Sequence, residues 1–179
     1  NYVIVYYNLG NLFKELGKSE QAIQCYEKAI QINPNYVAAY NNLGTAFSDL
    51  REYKKAAGFY EKAVQINPNF VNAYYNLGVV YKQMEELSKA ISCYEKAIQI
   101  DSNYINAYNN LGIILGDLNR LDEAKKYLEK SLNVDPNEKK TNEAYGNLLL
   151  KLNQHNKAIE YIRKGTGLIE FTQKNFEII

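Results

Sequence analysis

The feature that most constrains the fold is a pattern that returns every 34 residues. The block Ala-Tyr-Asn-Asn-Leu-Gly stands at 39–44 and recurs unchanged at 107–112. Glycine, alanine and, with one exception, proline recur at the same interval. A fixed period of this length is the signature of a repeat architecture. The spacing predicts five repeats, at 3–36, 37–70, 71–104, 105–138 and 139–172.

Each repeat reads as two α-helices. In the second repeat, Tyr40, Leu43 and Phe47 follow the i, i+3, i+7 spacing of one helix face. Ala56 and Tyr60 begin a similar stripe on a second helix, and a proline then ends it because proline lacks the backbone N–H. The recurring glycines are expected where two helices approach closely, since a larger side chain would overpack the contact.

The fold class that follows is all-α, built from stacked antiparallel helix pairs. One unit of this length buries too little surface to fold alone. Stacked units share a continuous core and form a nearly one-dimensional array. We therefore predict a single array over 1–179, with 173–179 forming either the start of a sixth repeat or a capping tail.

The repeat resembles the tetratricopeptide repeat family, whose period and aromatic-Leu-Gly-aromatic pattern it shares. The fourth repeat drifts from the pattern and the fifth is degenerate. The resemblance implies a right-handed α-solenoid, a superhelix whose first helices line a concave groove that binds extended peptides. In the first repeat the matching residues are Tyr6, Leu9, Gly10, Phe13, Ala22, Tyr26, Ala29 and Pro34.

Composition gives no general electrostatic reason to bind nucleic acid or a membrane. The chain has 21 basic and 20 acidic residues, a net charge of +1. No basic segment followed by a long apolar run marks a signal peptide. Two cysteines do not make a disulfide framework. The sequence leaves the location open and favours an intracellular one.

The candidate reactive residues predict no active site, no cofactor and no metal site. His155 lies at a turn without a companion cluster and is expected to be solvated. Cys25 and Cys93 occupy one position in the first and third repeats and are expected to pack in the interior. The recurring Glu-Lys pairs of the second helices, such as Glu61-Lys62, are expected to form a solvated face. No phosphate-binding loop, nucleophile elbow or zinc-binding His pair is present. We therefore expect a chain that is not an enzyme.

The candidate ligand surface is a row of amides and phenols on the first helices. An asparagine side chain both donates and accepts hydrogen bonds, so a row of them matches the backbone of an extended peptide. The row resembles the asparagine ladder of the O-GlcNAc transferase superhelix. A second interpretation stays open, in which the asparagines serve contacts between repeats. The candidate residues are Tyr7, Asn8, Asn11, Asn41, Asn42, Tyr75, Asn76, Asn109 and Asn110.

The same positions argue against a clamp for a terminal carboxylate. In the family, such a clamp combines asparagine with lysine and arginine. Asn11 and Asn42 match two of its positions, but Tyr7, Asn72 and Asn76 stand where the cations belong. Charge-assisted contacts are therefore missing, and the expected partner is a neutral, extended peptide or protein segment.

Two other functions stay open at this stage. Phe176 and Ile179 fall where a sixth repeat would place its aromatic and its leucine, so we expect an excerpt of a longer array or multidomain protein, against a natural end whose tail folds back. The repeats would then be a regulatory or substrate-recruiting arm of a larger enzyme, such as a glycosyltransferase. The third function is a scaffold that self-associates through its ends.

Overall fold

A computed structural model describes residues 2–167 of the chain. Within them the chain forms ten α-helices and no strand, which confirms the predicted all-α class and the two-helix repeat of about 34 residues. The helices are α1 Tyr2–Glu15, α2 Ser19–Ile32, α3 Val37–Asp49, α4 Tyr53–Ile66, α5 Val71–Gln83, α6 Leu87–Ile100, α7 Ile105–Asp117, α8 Leu121–Val134, α9 Lys139–Lys151 and α10 His155–Thr166.

In each of the first four repeats, the second helix ends two residues before a proline or, in the third repeat, before a serine. α4, for example, ends at Ile66, two residues before Pro68. The Asn67 side chain then accepts a hydrogen bond from the backbone N–H of Asn69, at 3.0 Å. Asn33, Asp101 and Asp135 make the same turn. Each turn reverses the chain, so that the next first helix begins a few residues later.

The turn between the two helices of a repeat has its own backbone conformation. The fifteenth residue of the repeat lies in this turn and adopts a left-handed backbone conformation in all five repeats, with φ between 58° and 71°. Only the first repeat places glycine there, and the other four place residues with a side chain. The residues are Gly17, Arg51, Glu85, Asn119 and Asn153.

The recurring glycines lie where the two helices of a repeat cross, as the sequence predicted. A Cβ atom on Gly44 would stand 2.7 Å from Cε1 of Tyr60. The same short approach occurs at Gly10, Gly78, Gly112 and Gly146. Glycine is required at these positions because no ordinary Cβ contact is so short, and the opposing ring or aliphatic side chain fills the space.

The chain divides into two compact units, residues 1–100 and 101–179. The first holds α1–α6, and its core includes Ala22, Tyr26 and Leu43, with Phe13 and Phe47 packed against it. The second holds α7–α10, and its buried side chains include Leu111, Leu115, Leu128 and Leu149. The prediction of one array over 1–179 stays a prediction.

Several smaller predictions can be placed on the structure. Cys25 and Cys93 are buried free thiols, as their predicted packing role requires, and burial raises the pKa of Cys93 to about 11. His155 is exposed at the start of α10, as expected. The Glu-Lys pairs are exposed, apart from a half-buried Lys96. The tail at 173–179 lies outside the described residues.

The described helices contain neither a candidate membrane span nor a candidate metal-binding cluster. None of these helices has the length and hydropathy needed to cross a bilayer. Residues 2–167 contain no group of three or more His, Cys, Asp or Glu side chains arranged to hold a metal ion.

Candidate ligand surface

The amide row of the first unit is held by hydrogen bonds between neighbouring repeats. The Asn42 side-chain amide, on α3, donates to Oδ1 of Asn11 at 2.8 Å and to the hydroxyl of Tyr7 at 3.2 Å, both on α1. The Asn41 amide donates to Oδ1 of Asn42 at 3.3 Å. Both N–H donors of Asn42 are therefore used within the protein.

The next rung repeats the arrangement with a different acceptor. The Asn76 amide, on α5, donates to Oδ1 of Asn41 at 3.0 Å. The sixth residue of one repeat thus bonds to the fifth residue of the preceding repeat, whether that residue is tyrosine or asparagine. The 35-residue separation of these partners is one repeat plus one residue, which fixes the register of α3 on α1 and of α5 on α3.

The second-helix tyrosines anchor the row from beneath. The Tyr26 hydroxyl donates to Oδ1 of Asn11 at 2.9 Å, and the Tyr60 hydroxyl donates to Thr45 Oγ1 at 3.1 Å. Burial raises the pKa of each phenol to about 12, so both remain protonated donors at neutral pH. The ninth residue of the repeat is therefore the acceptor for this tyrosine in the first two repeats.

The other predicted residues of the first unit differ in exposure. Asn8 is exposed on α1 and Tyr75 is half-buried on α5. Asn41 is buried, with 9% of its surface exposed. A concave depression of about 360 Å³ is lined by Asn11, Asn42, Lys14 and Glu15. The structure therefore brings Asn11 and Asn42 to one open surface and places Asn41 behind it.

In the second unit the predicted residue Asn109 lies in a buried polar cluster. It is 5% exposed, and its Oδ1 lies 2.9 Å from Ser131 Oγ and 2.8 Å from Thr141 Oγ1. Its amide donates to Glu138 at 3.3 Å. In the first unit the matching interface is apolar, with Ala29 and Ala39 where Ser131 and Thr141 stand here. Asn110, its neighbour on α7, is half-buried.

Glu138 is the charged member of this cluster. Its carboxylate accepts from the N–H of Thr141 at 2.6 Å and caps the start of α9. Burial alone would raise the pKa of Glu138, but hydrogen bonds from Thr141, the Lys140 backbone and Asn109 together hold it below its usual value. The carboxylate is therefore ionised at neutral pH and ties α9 to α7.

A groove of about 350 Å³ lies between α7 and α9 in the second unit. Its buried floor is apolar and consists of Gly112, Gly116, Leu128 and Leu148, while the more exposed Ile113 and Ala144 add apolar sides. Its rim carries Lys140, Glu143, Asn147 and the ion pair of Lys151 with Asp117, whose atoms are 3.0 Å apart. The groove has the size typical of ligand pockets.

Sequence reasoning missed two parts of this surface. It gave Gly116 and Lys151 no role. Gly116 carried a signal, because it is a second glycine four residues after Gly112 on one helix, and no other repeat has glycine at this position. Nothing in the sequence indicated a role for Lys151, because its partner Asp117 lies 34 residues earlier and its other acceptor is the backbone carbonyl of Gly116.

Several solved protein structures have a similar fold, and three of them are compared with this chain. A structure of MamA from Desulfovibrio magneticus RS-1, described as running from residue 41 to the end, is 21% identical to this chain. Its TM-score is 0.81, and the match covers 94% of this chain and 95% of that one. PilF of Pseudomonas aeruginosa is 25% identical, with a TM-score of 0.85 over 96% and 78%. YrrB, described as a tetratricopeptide protein with an unusual peptide-binding site, is 25% identical, with a TM-score of 0.72 over 90% and 84%. No curated protein matches the chain.

Sequence models of the tetratricopeptide repeat match nearly the whole chain. One covers 3–36, 37–70 and 71–104, and another covers 105–138 and 140–171. The matched boundaries follow the 34-residue period, and each match spans one of the helix pairs described above. The chain belongs to the tetratricopeptide repeat family and is a protein-interaction module of that kind.

Proposed function

We propose that this chain is a non-catalytic module that binds an extended, largely uncharged peptide or protein segment on the surfaces of its first helices. The observation that carries the proposal is the groove between α7 and α9, whose lining comes mainly from first helices. YrrB, a neighbour in fold, is described by its peptide-binding site, which supports the same use of the fold here.

Within the first unit, we assign the predicted residues to two tasks. Asn8, Asn11, Tyr75 and Asn76 are exposed or half-buried, and we propose that they contact the peptide directly. For Asn11 and Asn76 this role comes in addition to the hydrogen bonds that they make between repeats. Tyr7, Asn41 and Asn42 spend their polar groups on neighbouring repeats and hold that surface in register.

In the second unit, the same division separates Asn110 from Asn109. Asn110 is half-buried on α7, and we propose that it contacts the peptide. Asn109 is enclosed by Ser131, Thr141 and Glu138, so it supports the first helix from inside.

A selection from a displayed library of random peptides tests this function. Selected peptides are synthesised with blocked ends, and their affinity is measured by calorimetry against the parent chain and against Asn8→Ala. We expect about a tenfold weaker affinity for the variant, the effect of one or two lost hydrogen bonds. Lys62→Ala, on the outer face of α4, serves as the control and leaves affinity unchanged. A selection without enrichment contradicts the proposal.

A second candidate function, self-association, is favoured by an exposed apolar stripe on α1. Leu9 and Leu12 are 36% and 50% exposed, whereas Leu43 and Ala46, at the same positions of the next repeat, are 1% exposed. Inside the first unit, those positions pack on the second helix of the preceding repeat. We infer that, in a chain that begins at this repeat, the stripe on α1 packs against a helix of a second copy.

Sedimentation across a wide concentration range tests this second function. The parent chain is expected to gain mass with concentration, while the double variant Leu9→Lys and Leu12→Lys stays a monomer. A change to lysine at the exposed Glu27 on α2, Glu27→Lys, serves as the control. A parent chain that is monomeric throughout contradicts the inference.

A further inference from the structure

We infer that the groove between α7 and α9 is a specificity pocket for one aliphatic side chain of the bound segment. This inference rests on the proposed function and deepens it, because it names what the partner must carry. It depends on three observations: the unexplained glycine in the floor, the shape and polarity of the lining, and the balance of charges around the rim.

Gly116 is buried in the floor without a packing reason to be glycine. A Cβ at Gly112, one turn earlier, would stand 2.6 Å from Cγ of Leu128, so packing requires that glycine. A Cβ at Gly116 would meet only Leu148 Cδ1 at 3.8 Å and Ala124 Cβ at 3.9 Å, which are ordinary contacts. Glycine inside a helix costs about 1 kcal/mol relative to alanine. The effect of Gly116 is to leave the floor open.

A small residue at a second position, Ala144, widens the same opening. The sixth residue of the first four repeats is asparagine, but in the fifth repeat it is Ala144. Ala144 lines the groove together with Ile113 and Leu148. An asparagine there would place a carboxamide in the opening, so the fifth repeat exchanges an amide of the row for apolar space.

The rim carries as many positive as negative charges. Lys151 Nζ donates to the backbone carbonyl of Gly116 at 2.9 Å and pairs with Asp117 at 3.0 Å. Lys140 and Glu143, at the other side, are opposite in charge and exposed. A groove with no net charge and an apolar floor complements an uncharged side chain, because a charged one would lose hydration without gaining a partner.

The rim also offers groups for the backbone of the segment. The Lys151 ammonium has three donors, and two of its contacts are within the protein. The third suits a peptide carbonyl. Asn147 is exposed beside it and can both donate and accept. A leucine, isoleucine or methionine side chain in the groove, with its own peptide group at Lys151 and Asn147, satisfies each of these features.

Methyl and amide NMR on the whole chain tests the inference. The probe is an end-blocked heptapeptide of serine and glycine with one central leucine, and matched peptides carry alanine or lysine there. We expect the leucine peptide to shift the methyl signals of Ile113 and Leu148 and the amide of Gly116 in a saturable way. The alanine peptide should bind at least about tenfold more weakly, because each buried methylene changes affinity severalfold.

Two variants of one residue separate filling of the groove from a change in the helix. Gly116→Leu occupies the floor and should abolish the shifts from the leucine peptide. Gly116→Ala gains nearly the same helix propensity with little volume and should keep most of the binding. Equal binding by the leucine and lysine peptides, or unchanged binding by Gly116→Leu, overturns the inference.

The outcomes for the pocket and for the proposed function are distinct. Shifts confined to first-helix residues outside the groove, such as Asn76, overturn the pocket and leave the proposed function standing. A leucine peptide that shifts nothing also overturns the pocket, while enrichment in the library selection decides the function by itself.

Discussion

At the scale of single residues, the structure separates glycines that packing requires from glycines that it does not. Gly44 lies under the Tyr60 ring, where a Cβ would stand 2.7 Å from the nearest ring atom. Gly58 lies on the exposed face of α4, where an added Cβ would meet no neighbouring side chain within 4 Å. One glycine is required by packing, and the other only weakens its helix.

Alanine substitutions at these two glycines should therefore have opposite signs. Gly44→Ala should lower the free energy of unfolding by about 1–3 kcal/mol, because Tyr60 must move out of a packed interior. Gly58→Ala should raise it by about 1 kcal/mol through helix propensity. Urea denaturation followed by circular dichroism measures both changes. Similar effects of the two substitutions would show that the Tyr60 ring yields easily.

The asparagine row also contains residues of two kinds. Asn42 donates to Asn11 and Tyr7, whereas Asn8 is exposed on α1 and has no preceding repeat in the described part of the chain. Asn42→Ala should lower the free energy of unfolding by about 1 kcal/mol, since two hydrogen bonds outweigh the gain in helix propensity. Asn8→Ala should raise it by about 0.6 kcal/mol. Denaturation of the two single variants checks this, and a stabilised Asn42→Ala would contradict the structural role.

At the scale of the helix pair, the turn sets a conformational cost that differs between repeats. Arg51 and Glu85 adopt φ of 61°, which disfavours residues with a side chain, while Gly17 adopts 71° without that cost. Asn119 and Asn153 are intermediate, because asparagine tolerates the left-handed region.

Glycine at the fifteenth position should thus stabilise the second repeat and not the fourth. Arg51→Gly should raise the melting temperature by several degrees, the effect of about 1 kcal/mol in a chain of this size. Asn119→Gly should change it little, and Gly17→Ala should lower it. Thermal scans at one protein concentration provide the comparison, and a destabilised Arg51→Gly would show that the arginine side chain contributes more than its backbone costs.

The helices were predictable because their signals are local. Apolar periodicity places α3 and α4, Pro68 ends α4, and the recurring glycines mark the crossings within a repeat. Contacts between repeats were less accessible to sequence reasoning. The hydrogen bond from Asn76 to Asn41 joins residues 35 apart, and helical spacing alone does not say that one amide faces the preceding repeat.

Hydrogen bonds from first-helix tyrosines to second-helix glutamates were likewise not predictable from the sequence. Tyr81 donates to Glu61 at 2.6 Å, and Tyr145 donates to Glu129 at 2.8 Å. The sequence marks both glutamates only as members of a solvated face, because their Glu-Lys pairs recur on the second helices. Their acceptor role follows from the approach of the next first helix, which composition and period do not encode.

At the scale of the whole molecule, one position in the interface between repeats differs in chemistry between the two units. In the first unit, Ala29 and Ala39 pack with Tyr36 nearby. In the second unit, Ser131, Thr141 and Glu138 replace them and enclose Asn109. An apolar interface does not depend on pH, but an interface that includes an ionised carboxylate does.

The second unit should therefore lose stability in acid through Glu138. Its pKa in the folded state lies below the usual value, so the unfolded chain binds the proton more readily. The carboxylate stabilises the fold fully above the unfolded pKa of about 4.3, and this contribution disappears as pH falls through the folded pKa. Hydrogen exchange of α7 and α9 amides between pH 5 and pH 3 should show this loss. Glu138→Gln should show a shallower dependence, and equal slopes for parent and variant would mean that the carboxylate is not ionised within the cluster.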